Sequence, residues 1–383
     1  MLIMDMMNHC SKPSFKSRKY TVEHTALISM LFVCVLLFLT SLCVTGQNDS
    51  NDKESGKKGT HKELITLFSS DDLLEVSLYF DLAKFLRKNP REGKFDASMT
   101  LHFSSTDSLN RKVSLKYRGI NRLERCPFPP IMINFRKSEY LGPDSVKVKK
   151  LKLVTHCDNG SSYEEYVLRE YLVYKLFNAL TDTSFRVRLL KINYIDSQKK
   201  RRTISKYAFF IEPVEILAAR TNTNIVKSPA LKREDIEPVS MDRLAIFNYM
   251  IANWDWSIAG QHNVVVLAPK EYEAASQGIA IPYDFDLTGV VNADFAIPPP
   301  GKGIQTVRDR LFLGSCRSNE VFRKDLMSFS DKKEDFYRLV NEFPYLNQRD
   351  KRDIIMFLGQ FLDLLEKPRS FDYLINTFRR NCK

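Results

Sequence analysis

Three short pieces decide how the chain is read: Asn253-Trp254-Asp255-Trp256-Ser257, then His262-Asn263 with the apolar run Val264 to Leu267, then Ile281-Pro282-Tyr283-Asp284-Phe285-Asp286-Leu287-Thr288-Gly289. Asp255, Asn263 and Asp284, with Asp286 beside it, each stand at the edge of a strand-like or turn segment. Sites carried on irregular backbone and held by rigid strands are built this way. Asp284 and Asp286 alternate along what reads as an extended segment, so they are expected on opposite sides of it. Hard oxygen ligands at strand ends suit a phosphate and metal site.

Upstream, Leu74 to Phe80, Phe95 to Phe103, Val113 to Tyr117, Ile131 to Phe135 and Val146 to Val154 show strand patterning, with a short helix over Leu82 to Arg87. The helix Tyr163 to Ala179 follows, with Ser162 and Glu165 spaced as a capping box. Val187 to Ile195 and Ser205 to Glu212 read as a strand pair around the basic tip Lys199-Lys200-Arg201-Arg202. A helix over Met241 to Ala252, capped by Ser240, delivers the chain to Asn253. After Gly289, helices are predicted over Val307 to Gly314, Asn319 to Phe329, Lys332 to Asn341 and Gln348 to Leu365. Arg308 and Arg310 are expected on the solvated surface of the first of these. The pattern predicts an α+β fold: a β-rich N-lobe over 62–212, a hinge near Glu212, and a helical C-lobe over 213–383.

Phosphoryl transfer needs a cation for the phosphates, a carboxylate and an amide for Mg²⁺, and a carboxylate that orients the attacking hydroxyl. Kinase-type folds supply these in a fixed chain order, and this chain has Lys152 on a strand, Glu170 or Glu165 on the next helix, then Asp255, Asn263 and Asp284-Phe285. The same residues resemble the CotH-like spore-coat kinases, whose fold is an atypical, two-lobed protein-kinase fold. The likeness runs over Lys112 to Gly289. It is carried by Lys116-Tyr117-Arg118-Gly119, Asn134-Phe135, Leu151-Lys152-Leu153-Val154, Leu168-Arg169-Glu170-Tyr171-Leu172, Phe210-Ile211-Glu212 and the three opening pieces. It implies Asp255 as catalytic residue, Asn263, Asp284 and Asp286 on the metal, and Lys152, Glu170 or Glu165, and Glu212 on the nucleotide side. Many relatives carry Pro-Lys-Lys after the Arg-Gly strand, whereas this chain has Pro129-Pro130-Ile131, so more of the argument for nucleotide contact rests on Lys152.

The chain's 383 residues are 44% hydrophobic and 27% charged, an ordinary globular balance, with net charge +12. No aromatic or recognition-helix pattern accompanies the basic tip, so a nucleic-acid partner is not expected. Ala26 to Val44 carries no charge and follows Lys12, Lys16, Arg18 and Lys19, which reads as a membrane anchor or secretory signal over 26–46 behind a basic segment, 1–25. A polar linker, 47–61, leads out of it, and the charge asymmetry puts the main domain outside the cytoplasm. Cys126, Cys157, Cys316 and Cys382 then lie in an oxidising compartment, with Cys126 to Cys157 favoured because each flanks a strand of the same sheet, and Cys316 to Cys382 as the remainder. The expected function is transfer of phosphate from Mg·ATP to a hydroxyl on a protein or other extracytoplasmic acceptor. A catalytically idle envelope binding or assembly protein, and a phosphohydrolase using the same carboxylates, are the alternatives.

Overall fold

The fold is described from a computed structural model, which covers residues 67–87, 93–140, 146–271 and 277–382. The expected basic segment, membrane span and linker lie outside these residues. Among those described, no helix is long and apolar enough to cross a membrane.

Seven strands close into a barrel: β1 (Leu74–Phe80), β2 (Phe95–His102), β3 (Ser108–Tyr117), β4 (Ile131–Tyr140), β5 (Lys147–Val154), β6 (Val187–Asp196) and β7 (Ile204–Ile211). They follow the order β1-β2-β3-β4-β5-β7-β6, and the β1–β6 pair that closes the ring is parallel. Alternation places Val76, Leu78, Met99, Val113, Leu115, Ile133, Leu151, Leu153, Leu190, Ile192 and Phe210 in one apolar cluster that fills the barrel. The opposite faces of β5, β6 and β7 are also apolar, so Val154, Val187, Leu189, Phe209 and Ile211 join a second cluster outside it. Strands buried on both faces read as continuous apolar runs, which is the reason for Tyr207 to Ile211. Each fully buried large side chain contributes roughly 1.5–3 kcal/mol.

The short α1 (Leu82–Phe85) follows β1, and α2 (Ile120–Arg125) joins β3 to β4. The long α3 (Ser161–Asn178) lies against the outer face of β7, with Val167, Tyr171 and Tyr174 buried beside Leu168, Leu172 and Leu176. It is buried nearly all round because later helices cover its other side. The Ser162–Glu165 capping box does not form: the helix begins two residues earlier, with Gly160 at the cap and no side-chain capping bond.

Beyond β7 come α4 (Val214–Arg220), β8 (Thr223–Val226) and α5 (Pro238–Met250). Pro238 starts α5, since its fixed φ suits a first helical turn. The predicted cap, Ser240, lies inside the helix and exchanges hydrogen bonds with the backbone of Ala280. β9 (Val264–Pro269) and β10 (Ile279–Pro282) complete a three-stranded sheet in the order β10-β9-β8. The helical end holds α6 (Asn319–Ser330), α7 (Lys333–Glu342), α8 (Gln348–Leu362) and α9 (Pro368–Asn381).

No helix forms over 307–314. Arg308 and Arg310 hold that stretch irregular: Arg308 Nε donates to the Gly289 carbonyl (3.2 Å), Arg310 Nη2 to the Phe357 carbonyl (2.6 Å), and both guanidinium groups cover the Phe357 ring. Neither is the solvated surface residue expected of it. Cys126 pairs with Cys157 and Cys316 with Cys382, the pairing expected, and such bonds accord with an oxidising environment.

Candidate functional site

The opening segment is held in place by amides. Asn248 on α5 anchors its side chain on the Leu244 carbonyl and accepts from Asn253 Nδ2 (2.9 Å). Asn253 Oδ1 in turn accepts the Asp255 N–H (3.0 Å), so the loop carrying Asp255 is tied to a buried helix. Trp254 and Trp256 are buried on either side and fix the half-exposed carboxylate between them. Its Oδ1 meets His262 Nε2 at 2.8 Å, and its Oδ2 accepts from Asn263 Nδ2 at 3.0 Å. Asn263 Nδ2 also reaches the Asp255 carbonyl (2.8 Å), so the amide is oriented by two acceptors.

The β9–β10 pairing brings the second and third pieces together. Val264 lies opposite Pro282, and just beyond them the Tyr283 N–H donates to the Asn263 carbonyl (3.0 Å). Asn263 and Asp284 therefore leave the ends of adjacent strands side by side. Both have left-handed backbone, φ 51° and 64°, which Asn and Asp tolerate better than other non-glycine residues. That turn at Asp284 corrects the expectation of an extended segment with alternating aspartates: the chain is not extended there, so the two-residue alternation does not apply. The Asp284 N–H donates to the Tyr174 hydroxyl on α3 (2.9 Å), while its carboxylate has no hydrogen-bond partner among the described residues.

Lys152 comes from the barrel. Leu151 and Leu153 point into the barrel cluster and Val154 into the outer one, so alternation sends Lys152 outward, toward α3. Its Nζ sits 4.2 Å from the centre of the Tyr283 ring, next to Asp284, and makes no ion pair among the described residues. Burial and then Arg118 push the Lys152 ammonium below its usual range, with Asp284 acting the other way.

The helix glutamates part company. Glu170 is buried, with Oε1 lacking a hydrogen-bond partner. Burial, then Asp286 and Asp284, hold its carboxyl well above the usual range. Glu165 is half-exposed on the other flank of α3, near Asp350 and Arg169. Glu170 forms no ion pair with Lys152; the cations closest in effect are Arg122 and Arg118. Glu212 lies away from this group, its Oε1 2.9 Å from Arg220 Nε and its Oε2 accepting the Arg186 N–H (3.0 Å). It braces the end of β7.

Asp286 is buried, 3.4 Å from Arg122 Nη1, and burial followed by Asp284 pushes its carboxyl up to about 6. Arg122, on α2, also donates to the Thr155 carbonyl (3.1 Å). The Cys126–Cys157 bond then pins the end of α2 to the loop after β5. Arg118, in the loop before α2, acts on Lys152, Glu170 and Asp286 and has its Nε buried without a partner. Arg118 and Arg122 were given no role by sequence reasoning, although Arg118 belongs to one of the quoted motifs.

Among the described residues no group of three or more His, Cys, Asp or Glu side chains is arranged to hold a metal ion. A metal here would be held by fewer protein ligands and completed by phosphate and water, as Mg²⁺ commonly is. Asn263 and Asp284 are the pair at hand. The unpartnered Asp284 carboxylate and the unpaired Lys152 ammonium fit a ligand that brings a cation to one and an anion to the other. A roomier groove lies elsewhere, beside Phe68, Lys175 and Arg186, but there Asp71 already neutralises Lys175 at 2.7 Å.

No protein-family model matches the chain, and no curated protein matches it. Among solved structures, the crystal structure of a Helicobacter pylori proinflammatory kinase, CtkA, is similar over 64% of this chain and 95% of that one, at 10% identity and a TM-score of 0.39. A likeness this weak carries no functional weight.

Proposed function

We propose that the chain is a kinase-like phosphotransferase of the atypical, CotH-like kind, exported or membrane-anchored through 26–44, which takes Mg·ATP and passes the terminal phosphoryl group to a hydroxyl on a protein or other acceptor. One observation carries this reading. Lys152, Asp255, Asn263 and Asp284 are linked by direct contacts, Lys152 to Tyr283, Tyr283 to Asn263 and Asn263 to Asp255, with Asp284 next in the chain to Tyr283. Charges of both signs within that group lack bonded partners among the described residues.

In this reading Lys152 neutralises phosphate oxygens, and Asn263 and Asp284 hold Mg²⁺, with Asp286 turned toward the same charges. Bound there, the metal neutralises charge on the phosphates. Asp255 accepts the hydrogen bond of the acceptor hydroxyl and orients it. Asn263 keeps the Asp255 carboxylate in one plane through Oδ2, and the exposed His262 on Oδ1 is free to yield to an incoming hydroxyl. Its ring lies on the solvent side, so displacement costs little packing.

A second reading, an idle kinase-like fold acting as an envelope binding or assembly protein, is favoured by the absent Glu170–Lys152 pair. Label transfer from γ-labelled ATP separates the two. Label appearing on an added acceptor, and reduced by orders of magnitude in Asp255→Asn, supports the transferase. Label released only as phosphate points to hydrolysis. No label leaving ATP, with nucleotide still bound, supports the idle form.

A further inference from the structure

We propose that Arg118 is the second phosphate-binding cation of the site, beside Lys152. The proposal rests on the nucleotide reading and assigns a residue that the motif order leaves without a role.

The backbone fixes where an arginine from the end of a strand stands beside the site. β3 ends at Tyr117, and the Arg118 N–H donates to the Pro130 carbonyl (3.1 Å), which holds it against the start of β4. Gly119 then takes φ 69°, a left-handed turn open to glycine, and sends the chain into α2. Arg118 is thereby left at the bend, half-buried, with its field felt by Lys152, Glu170, Tyr174, Tyr283 and Asp286.

Its lack of a bonded partner sets it apart from nearby arginines. Arg122 has Asp286 and the Thr155 carbonyl; Arg169 has Asp350 and Asp353; Arg220 has Glu212. Arg118 has no hydrogen bond or ion pair from its guanidinium among the described residues, and its Nε is fully covered. Lys152 is likewise unpaired among them, and Arg118 acts against its charge. A buried lysine beside a half-buried arginine whose Nε is covered, with no anion bonded to either among the described residues, is an arrangement that an anion can complete. An anion with several oxygens can bond to both. Arginine's planar fork suits phosphate, and lysine adds a point charge.

The competing role is an internal counter-charge to Glu170 and Asp286, with no ligand involved. The test uses the full chain, first without magnesium, measuring affinity for inorganic tripolyphosphate and for adenosine by calorimetry. Arg118→Met is expected to weaken tripolyphosphate on the order of tenfold or more, the worth of a charge-assisted bond, with adenosine unchanged and Arg118→Lys intermediate. Unchanged tripolyphosphate affinity in Arg118→Met overturns the proposal.

Should Arg118→Met fail to fold, arginine-selective phenylglyoxal labelling of the wild type decides. Protection of the Arg118 peptide by tripolyphosphate supports the assignment, and equal labelling with and without it refutes it. Tripolyphosphate binding that depends on Arg118, with no phosphoryl transfer from ATP, removes the transferase reading and leaves the anion site standing. Transfer that proceeds equally well in Arg118→Met removes Arg118 and leaves the transferase. A wild type that binds neither ligand overturns both.

Discussion

Two clusters of buried charge meet α3, and they are built in opposite ways. On one flank Arg169 reaches Asp350 (2.6 Å), Asp353 (2.7 Å) and the Val290 carbonyl (3.2 Å), and Arg308 closes the group on Asp353 (2.6 Å). Every charge there is matched by one within bonding distance, and the cluster bolts α3 to α8 and to the loop after Asp286. On the next residue's flank Asp286 pairs with Arg122 (3.4 Å), but Glu170 Oε1 and Arg118 Nε are buried without partners, and Lys152 and the Asp284 carboxylate make no hydrogen bond or ion pair among the described residues. One helix thus carries a finished joint and an unfinished one. On the proposed reading, charges satisfied at Arg169 and left open near Glu170 are what a ligand site beside a structural joint requires.

The contrast breaks first at the joint. Arg169→Met strands Asp350 and Asp353 and is expected to cost about 3–5 kcal/mol by urea unfolding, the range for breaking a buried pair. A loss within error of zero means the joint is ornamental and the contrast false.

Smaller, and confined to acid, is the effect of His156. It is buried, its Nε2 has no partner, and burial pushes its pKa down to about 3 from 6.5. The folded state refuses a proton that the unfolded chain takes up. Its contribution is therefore complete above pH 6.5 and drains away as pH falls toward 3. Between about pH 7 and about pH 4, wild type should lose about 3 kcal/mol more than His156→Gln, read from parallel denaturation curves. Equal losses would place the acid sensitivity elsewhere.

Gly289→Ala probes the seam between the Asp255 loop and the helices. A Cβ there meets Ala252 Cβ at 2.8 Å, Phe357 Cζ at 2.9 Å and the Val307 carbonyl at 3.0 Å. Overpacking of this kind costs about 1–3 kcal/mol and should move the loop, lowering activity along with melting temperature. An alanine variant of native stability would show the seam to be loose.

The smallest stability effect belongs to the open cluster. Lys152→Met removes a charge that burial and Arg118 already disfavour. It should leave unfolding within about 1 kcal/mol of wild type, or raise stability, while abolishing nucleotide binding. A large destabilisation would make Lys152 as structural as Arg169.

Much of the molecule was legible in its sequence, and the reasons are local. Alternation from Leu74 to Val154 marked the barrel strands, and the polar tip between β6 and β7 marked a hairpin, which Asp196 holds by accepting from the N–H groups of Lys200 (2.7 Å) and Arg201 (3.0 Å). The order Lys152, Asp255, Asn263, Asp284 anticipated which residues the fold gathers. What escaped depended on partners far along the chain. The phase that buries Glu170 and leaves Glu165 half-exposed is set by α8, whose Asp350 claims Arg169. The arginines at 308 and 310 resemble a helix surface until Phe357 and Asp353 are placed beside them. α9 was missed altogether although Pro368 marks its first turn. Arg118 was visible as a motif letter, but a missing partner is a property of three dimensions that no spacing records.

The most direct test of the open cluster is the thermal shift given by Mg·ATP in wild type and in Asp284→Ala. A site kept open for nucleotide should give a rise of several degrees in wild type at saturating ligand, since binding to the folded state alone adds about 2.7 kcal/mol at roughly a hundredfold excess over Kd. Little or no rise is expected in Asp284→Ala, whose melting temperature without ligand should match wild type or exceed it. No nucleotide-dependent shift in wild type, or an equal shift in both, contradicts the open site.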